Sequence, residues 1–186
     1  MSAASARLEI DPDVRTRLAA RIRDVPDFPQ PGVVFKDITP LLADARAFRE
    51  CVDALAAPWC DAKIDAVCGI ESRGFIFGAA LARTLGAGFV PLRKAGKLPA
   101  ATLGVDFDLE YDAARLEVHT DALCPGARAL LLDDVLATGG TLAAARELIV
   151  KLGASIAGAG VVVELDFLHG RERWPAELPL HAVLHY

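Results

Sequence analysis

One stretch near the middle of the chain, residues 129–141, most strongly constrains what this sequence can fold into. It reads ALLLDDVLATGGT, and its first four residues are apolar, as expected of a strand buried on both faces of a sheet. The residues that follow have the apolar spacing of a helix, at Leu142, Ala145, Leu148, Ile149 and Leu152. The stretch therefore predicts a strand, a loop and a helix in succession.

The predicted loop has the composition of a phosphate-binding site. Its glycines let the backbone approach a ligand closely, and its hydroxyls lie just before a helix N-terminus with free N–H groups. Neither a Gly-Lys-Ser/Thr sequence nor a Gly-x-Gly-x-x-Gly pattern is present, which argues against a nucleoside-triphosphate or dinucleotide site. We expect the phosphate to be bound by Ala137, Thr138, Gly139, Gly140 and Thr141.

Two acidic residues, Asp133 and Asp134, precede this loop at the carboxyl end of the predicted strand, where open parallel sheets bind ligands. Two carboxylates would repel a bare phosphate, but they suit the hydroxyls of a sugar or a metal ion reached through water. A sugar phosphate would satisfy both parts of the stretch. The alternative is an ordinary turn in which one Asp binds local backbone groups.

Composition limits the class of protein. With 186 residues, the chain is long enough for one α/β core, so we expect a single domain over residues 1–186. The net charge of -5 argues against a nucleic-acid partner, and the apolar runs fall short of the roughly 18 to 20 residues that cross a membrane. The four cysteines lack metal-ligand spacing, and buried thiols in a reducing cytoplasm are expected.

Strands alternating with helices predict an α/β fold with a doubly wound, mostly parallel sheet flanked by helices. Residues 1–40 are expected to form an N-terminal helix, continuing to Val25, and a small lip or hood over the site. Residues 98–114 show no clean period, and we expect them to form a mobile active-site loop.

The basic residues of this acidic chain are concentrated after predicted strands, at Arg73, Arg93, Lys94 and Lys97. Because parallel strands bring their carboxyl ends to one edge of the sheet, these side chains should share a cleft with the acidic pair. The substrate would then have two anionic ends. Solvated charged turns are the alternative for the individual residues, and the four histidines are interpreted as structural.

Five segments together resemble the adenine phosphoribosyltransferases, within the type I phosphoribosyltransferase superfamily. In chain order they read FPQPGVVFKDITPLL, GIESRGFIFG, LRKAGKLP, DLEY and LLLDDVLATGGTL. The resemblance implies purine salvage by transfer of the 5-phosphoribosyl group from phosphoribosyl pyrophosphate to N9 of adenine, giving AMP and pyrophosphate. It also implies Mg²⁺ held mainly by substrate rather than by protein ligands, and a homodimer.

The same resemblance implies a role for each matching residue. The ribose 5-phosphate would lie in the loop, the ribose hydroxyls near the acidic pair, and pyrophosphate against Arg73 and Lys97. Adenine would be framed by main-chain and side-chain contacts of Val34 and Lys36 and stacked on Phe35. Arg73 and Glu110 would be catalytic, with Glu110 accepting the proton that adenine loses or, alternatively, acting in loop closure.

The chain departs from the family pattern at three positions. Lys36 stands where many members have Arg, which removes any forked contact, while Phe107 replaces a frequent Tyr and Asp112 a frequent Gly. Two other functions stay open at this point. One is transfer to hypoxanthine or guanine, and the other is a ligand-sensing regulator of the same fold, for which a basic recognition helix is lacking.

Overall fold

The computed structural model describes residues 10–108 and 113–186. Nine strands lie in this part of the chain: β1 (Arg23–Pro26), β2 (Val34–Asp37), β3 (Ala66–Ile70), β4 (Gly88–Lys94), β5 (Thr102–Asp108), β6 (Ala113–His119), β7 (Arg128–Leu136), β8 (Ser155–Glu164) and β9 (Leu180–His185). The α-helices there are α1 (Pro12–Ala19), α2 (Thr39–Ala43), α3 (Ala45–Ala56), α4 (Gly74–Leu85) and α5 (Gly140–Lys151). Short 3₁₀ turns lie at Ala57–Trp59, between α3 and β3, and at Asp166–Leu168 and Gly170–Arg173, between β8 and β9.

Seven of these strands form one sheet in the order β5-β6-β4-β3-β7-β8-β9. The pairings among β3, β4, β7, β8 and β9 are parallel, whereas β6 pairs antiparallel with both β4 and β5. The predicted mostly parallel sheet is confirmed. Strands β1 and β2 pair antiparallel as a separate ribbon in the segment expected to form the lip, and this ribbon is called the lip below.

The central strand β7 is buried on both faces because its apolar residues alternate between two cores. Leu130 and Leu132 belong to one core, with Phe77 of α4. Ala129 and Leu131 belong to the other, packed with α5. This burial explains the continuous apolar sequence and confirms the predicted strand, loop and helix.

The N-terminal helix is shorter than expected. It begins with Asp11 accepting a hydrogen bond from the Asp13 N–H and ends at Ala19, instead of continuing to Val25. Residues 23–26 pair with β2 instead, so cross-strand pairing overrides the helical spacing of the apolar residues. The predicted extent of this helix was therefore wrong, because residues 23–26 belong to the two-stranded ribbon.

Residues 98–114, in which the sequence shows no clean period, contain β5 and the first two residues of β6, and their expected role as a mobile active-site loop stays a prediction. Strands β5 and β6 form an antiparallel hairpin that begins at Thr102. Val105 is 4% exposed and Leu116 only 1%, so one face of the hairpin packs into the second core. That core burial fixes the hairpin, and residues 109–112 lie outside the described part of the chain.

The thiols divide into two pairs. Cys51 and Cys68 are buried, and burial raises the pKa of each thiol to about 12. Cys60 and Cys124 are exposed, which corrects the expectation that all four are buried. Within residues 10–108 and 113–186, none of the helices has the length and apolar character needed to cross a bilayer.

Candidate active site

The loop after β7 leaves the first turn of α5 without a side-chain cap. Gly139 occupies the N-cap position with φ of +81°, a backbone conformation that favours glycine, and among the described residues no side-chain cap accepts a hydrogen bond from the start of the helix. These N–H groups and the positive end of the helix dipole suit a phosphate. The predicted loop, Ala137 to Thr141, thus has the geometry of an anion site.

A second glycine, Gly170, packs against this loop from the 3₁₀ turn after β8. An added Cβ at Gly170 would lie 2.1 Å from the Ala137 carbonyl oxygen, and one at Gly139 would lie 2.3 Å from the Gly170 carbonyl oxygen. The backbones therefore touch directly. Sequence reasoning missed Gly170, because a lone glycine 31 positions beyond Gly139 carries no local signal of this contact.

The acidic pair lies within the last part of β7. Asp134 is 5% exposed, and its Oδ2 lies 2.8 Å from Arg73 Nε. That contact lacks the alignment of a hydrogen bond, and Oδ2 accepts none from the described residues. Asp133 accepts a hydrogen bond from the Asp134 N–H at 2.9 Å.

Burial makes both carboxyls hard to ionise. Burial, followed by the neighbouring charge of Asp134, raises the pKa of Asp133 well above its ordinary value. Burial also raises the pKa of Asp134, although the Arg73 guanidinium works in the opposite direction. A cationic or hydrogen-bond-donating ligand would favour the ionised pair and is therefore the kind of ligand that this site fits.

Two of the four predicted basic residues, Arg93 and Lys97, are brought together by a carboxylate that sequence reasoning missed. Glu71 follows β3, its side chain is 6% exposed, and its oxygens lie 2.8 Å from Lys97 Nζ and 3.1 Å from Arg93 Nε. Burial works to raise the pKa of Glu71, but hydrogen bonds led by that from Lys97 lower it below its ordinary value. The sequence signal that could have identified Glu71 is its position directly after a buried strand. Lys94, the remaining residue of the predicted basic set, is exposed.

The lip faces the acidic pair through Phe35. The Arg73 guanidinium lies 5.0 Å from the centre of the Phe35 ring, and the Phe28 ring meets Phe35 edge-on at 5.2 Å. Arg73 thus touches both the acidic pair and the lip. Val34 is 48% exposed.

The Lys36 side chain is engaged away from that cleft, with its ammonium against Asp24 and the ring of Tyr186. The other proposed base contact, Glu110, lies outside the described residues, and its role stays a prediction.

The four histidines do not form a shared site. His181 Nε2 lies 3.2 Å from the Ala54 carbonyl oxygen, and burial lowers the pKa of this ring. His119 accepts from the Ala100 N–H, and His185 contacts Asp166. These local contacts agree with a structural role.

Comparison with known proteins places this geometry in a family. The sequence model of one protein family, the phosphoribosyl transferase domain, matches residues 41–177. Adenine phosphoribosyltransferase of Thermobifida fusca is 57% identical over 171 residues, covering 92% of this chain and 97% of the relative. That of Nitrosococcus oceani is 55% identical, covering 91% and 99%.

Solved structures give the same result. Adenine phosphoribosyltransferase of Rhodothermus marinus superposes with a TM-score of 0.91 at 47% identity, covering 95% of this chain and 100% of that one. The Saccharomyces cerevisiae enzyme, complexed with an imino-altritol bisphosphate and adenine, superposes with a TM-score of 0.87 at 38% identity, covering 92% and 99%. The chain belongs to the adenine phosphoribosyltransferases, within the phosphoribosyl transferase domain family.

Proposed function

We propose that this chain transfers the 5-phosphoribosyl group from phosphoribosyl pyrophosphate to N9 of adenine, releasing AMP and pyrophosphate. The observation that carries the proposal is Arg73, which lies between the acidic pair at the end of β7 and Phe35 of the lip. A residue so placed lies where a base, a ribose and a leaving pyrophosphate would meet. The 57% identity to an adenine phosphoribosyltransferase supports adenine as the base.

Each part of the site would take one part of the substrates. The uncapped turn of α5 and the loop Ala137, Thr138, Gly139, Gly140 and Thr141 would bind the 5-phosphate. Asp133 and Asp134 would accept hydrogen bonds from the ribose hydroxyls, as charged acceptors do more strongly than neutral ones. Adenine would stack on Phe35, beside the main chain of Val34 and Lys36.

Departure of pyrophosphate leaves positive charge on the ribose and negative charge on the leaving group. Arg73 and Lys97 would stabilise the negative charge, and ionised carboxylates of the acidic pair would stabilise the positive charge. Lys97 is held by Glu71 at 2.8 Å, so it would exchange that partner for the pyrophosphate oxygens. Glu71 would thus hold a cation ready for the leaving group before substrate arrives.

The acidic pair fits a magnesium ion that is bound mainly by substrate. Asp134 Oδ2 is buried and accepts no hydrogen bond within the described residues, so it could accept a metal-bound water. Among the described residues, one group of three side chains could hold a metal ion directly. It consists of Glu164, Asp166 and His185 and does not include the acidic pair. When bound, the ion would neutralise charge on the pyrophosphate.

Three further properties belong to this proposal. Glu110 would accept the N9 proton of adenine, or would act in closure of the loop that contains it. The protein would work as a homodimer in the cytoplasm, and the four free cysteines, two of them exposed, suit such a reducing compartment.

A panel of bases tests the proposal. Purified protein, phosphoribosyl pyrophosphate and Mg²⁺ are combined separately with adenine, hypoxanthine and guanine, and kcat/KM is measured for each. Adenine should be preferred by a large factor, since its 6-amino group donates where a 6-oxo group accepts. A preference for hypoxanthine or guanine would change the assigned base, and lack of turnover with all three would refute the transferase proposal.

A further inference from the structure

The lip has few means of keeping a fixed position over the site. Among the described residues, β1 and β2 form a separate two-stranded ribbon that is paired to none of the seven strands of the main sheet. An isolated pair of strands is only marginally stable in water. Besides Ile22 and Ile38, which join the two ends of the ribbon to the core, side-chain contacts must therefore hold it against the rest of the protein.

One such contact lies on the face of the ribbon opposite to Phe35. Successive residues of a strand point to opposite faces, so Lys36 points away from the ring that would stack on adenine. Asp24 is its cross-strand partner, with Oδ1 2.7 Å from Lys36 Nζ. The same ammonium lies 3.9 Å from the centre of the Tyr186 ring, and the Lys36 side chain is only 13% exposed.

Tyr186 is itself fixed to the main sheet. Its N–H donates to the Glu164 carbonyl oxygen at 3.0 Å, and its own carbonyl oxygen accepts from the Asp166 N–H at 2.8 Å. Burial raises the pKa of the Tyr186 phenol, and the charge of Asp24 raises it further. The ring is therefore a partly buried surface held at the end of β9, and Asp24 lies within electrostatic reach of it.

We propose that Lys36 is a positioning residue: Asp24 and Tyr186 hold its ammonium so that the lip presents Phe35 and the backbone of β2 to the base. The Lys36 side chain then acts as a tether between the lip and the end of β9, and the base meets only its main chain. Tyr186, the last residue of the sequence, thereby determines the affinity for adenine without touching it. This inference rests on the proposed adenine site.

A lysine performs this task through one charge on a flexible stem, and its ammonium can rest on an aromatic face while it pairs with a carboxylate. Loss of the Tyr186 ring would leave the ammonium paired with Asp24, which is 58% exposed and can follow it into water. The ribbon would then lose its connection to the sheet on this side, while the phosphate loop and Arg73 would keep theirs.

The test compares Tyr186→Leu, Tyr186→Phe and Lys36→Met, each measured by calorimetry for adenine and for phosphoribosyl pyrophosphate. Tyr186→Leu should raise the Kd for adenine about 5- to 30-fold, as expected for loss of a partly desolvated cation–π contact, and leave that for phosphoribosyl pyrophosphate within about twofold. Tyr186→Phe keeps the aromatic face and should bind adenine with the Kd of the unaltered protein. The double variant Lys36→Met/Tyr186→Leu should bind adenine no more weakly than the worse single variant.

Other outcomes separate the possibilities. Additive losses in the double variant, with Lys36→Met much the worse, would mean that the Lys36 side chain contacts the base and would overturn the tether. Equal weakening of both substrates would make Tyr186 merely structural and would also overturn it. If the unaltered protein makes no AMP from adenine, the proposed function fails, whereas wild-type turnover with unchanged adenine binding in Tyr186→Leu refutes the tether alone.

Discussion

The contact between Gly170 and the phosphate loop makes Gly170→Ala a sharp perturbation of one half of the site. The new Cβ would lie 2.1 Å from the Ala137 carbonyl oxygen and 2.9 Å from the Gly139 nitrogen, whereas ordinary contact begins near 3.4 Å. The backbones must therefore separate by about 1.3 Å, and neither atom can swing aside as a side chain would. A misplacement of about 1 Å costs on the order of 10²-fold in rate.

Steady-state kinetics and calorimetry measure the consequence. We expect Gly170→Ala to lower kcat/KM for phosphoribosyl pyrophosphate by about 10²-fold, with adenine binding nearly unchanged. Gly88→Ala is the matched control, because a Cβ there meets the Asp65 carbonyl oxygen at an ordinary 3.5 Å. A folded Gly170→Ala protein with wild-type affinity for phosphoribosyl pyrophosphate would refute the reasoning, and thermal unfolding of both variants reports whether each is folded.

Four further predictions concern separate parts of the molecule. Asp133→Asn and Asp134→Asn should each cause a large loss of activity in the AMP assay, and full activity in both would make the acidic pair structural. Phe35→Ala should weaken adenine binding by roughly 1 to 3 kcal/mol in calorimetry and phosphoribosyl pyrophosphate binding less; equal losses would indicate collapse of the lip. Glu110→Gln should lower kcat and kcat/KM together by about 10² or more if Glu110 is the proton acceptor, whereas a mild effect beside a severe Glu110→Leu would indicate loop closure. Burial lowers the pKa of His181, so the unfolded chain takes up the proton first and stability should fall as the pH drops below about 6.5; His181→Gln should reduce that dependence of Tm on pH, and an identical pH profile would contradict it.

The central unit could be predicted from the sequence because its signals are local. An apolar run, two acidic residues, a glycine-rich loop and a helical period follow one another within residues 129–152. The structure places them as β7, the loop and α5. Arg73 could be assigned to the same cleft because the carboxyl ends of neighbouring parallel strands lie at one edge of the sheet.

The remaining features depend on partners far away along the chain. Lys36 meets Tyr186 150 positions later, and no local pattern distinguishes a tethered lysine from one that contacts a ligand. The alternation in residues 116–120 predicted part of β6, but β5 was overlooked although Leu103, Val105 and Phe107 alternate with polar residues and glycine as in a half-buried strand. Tertiary packing decides such segments more than local sequence does.

The central claim is tested most directly by measuring both products of one reaction. The protein is incubated with adenine, phosphoribosyl pyrophosphate and Mg²⁺, and AMP and pyrophosphate are quantified over time. Phosphoribosyl transfer to the base predicts equal amounts of the two products, with adenine consumed at the same rate. Pyrophosphate released without AMP, while adenine stays constant, would contradict the account.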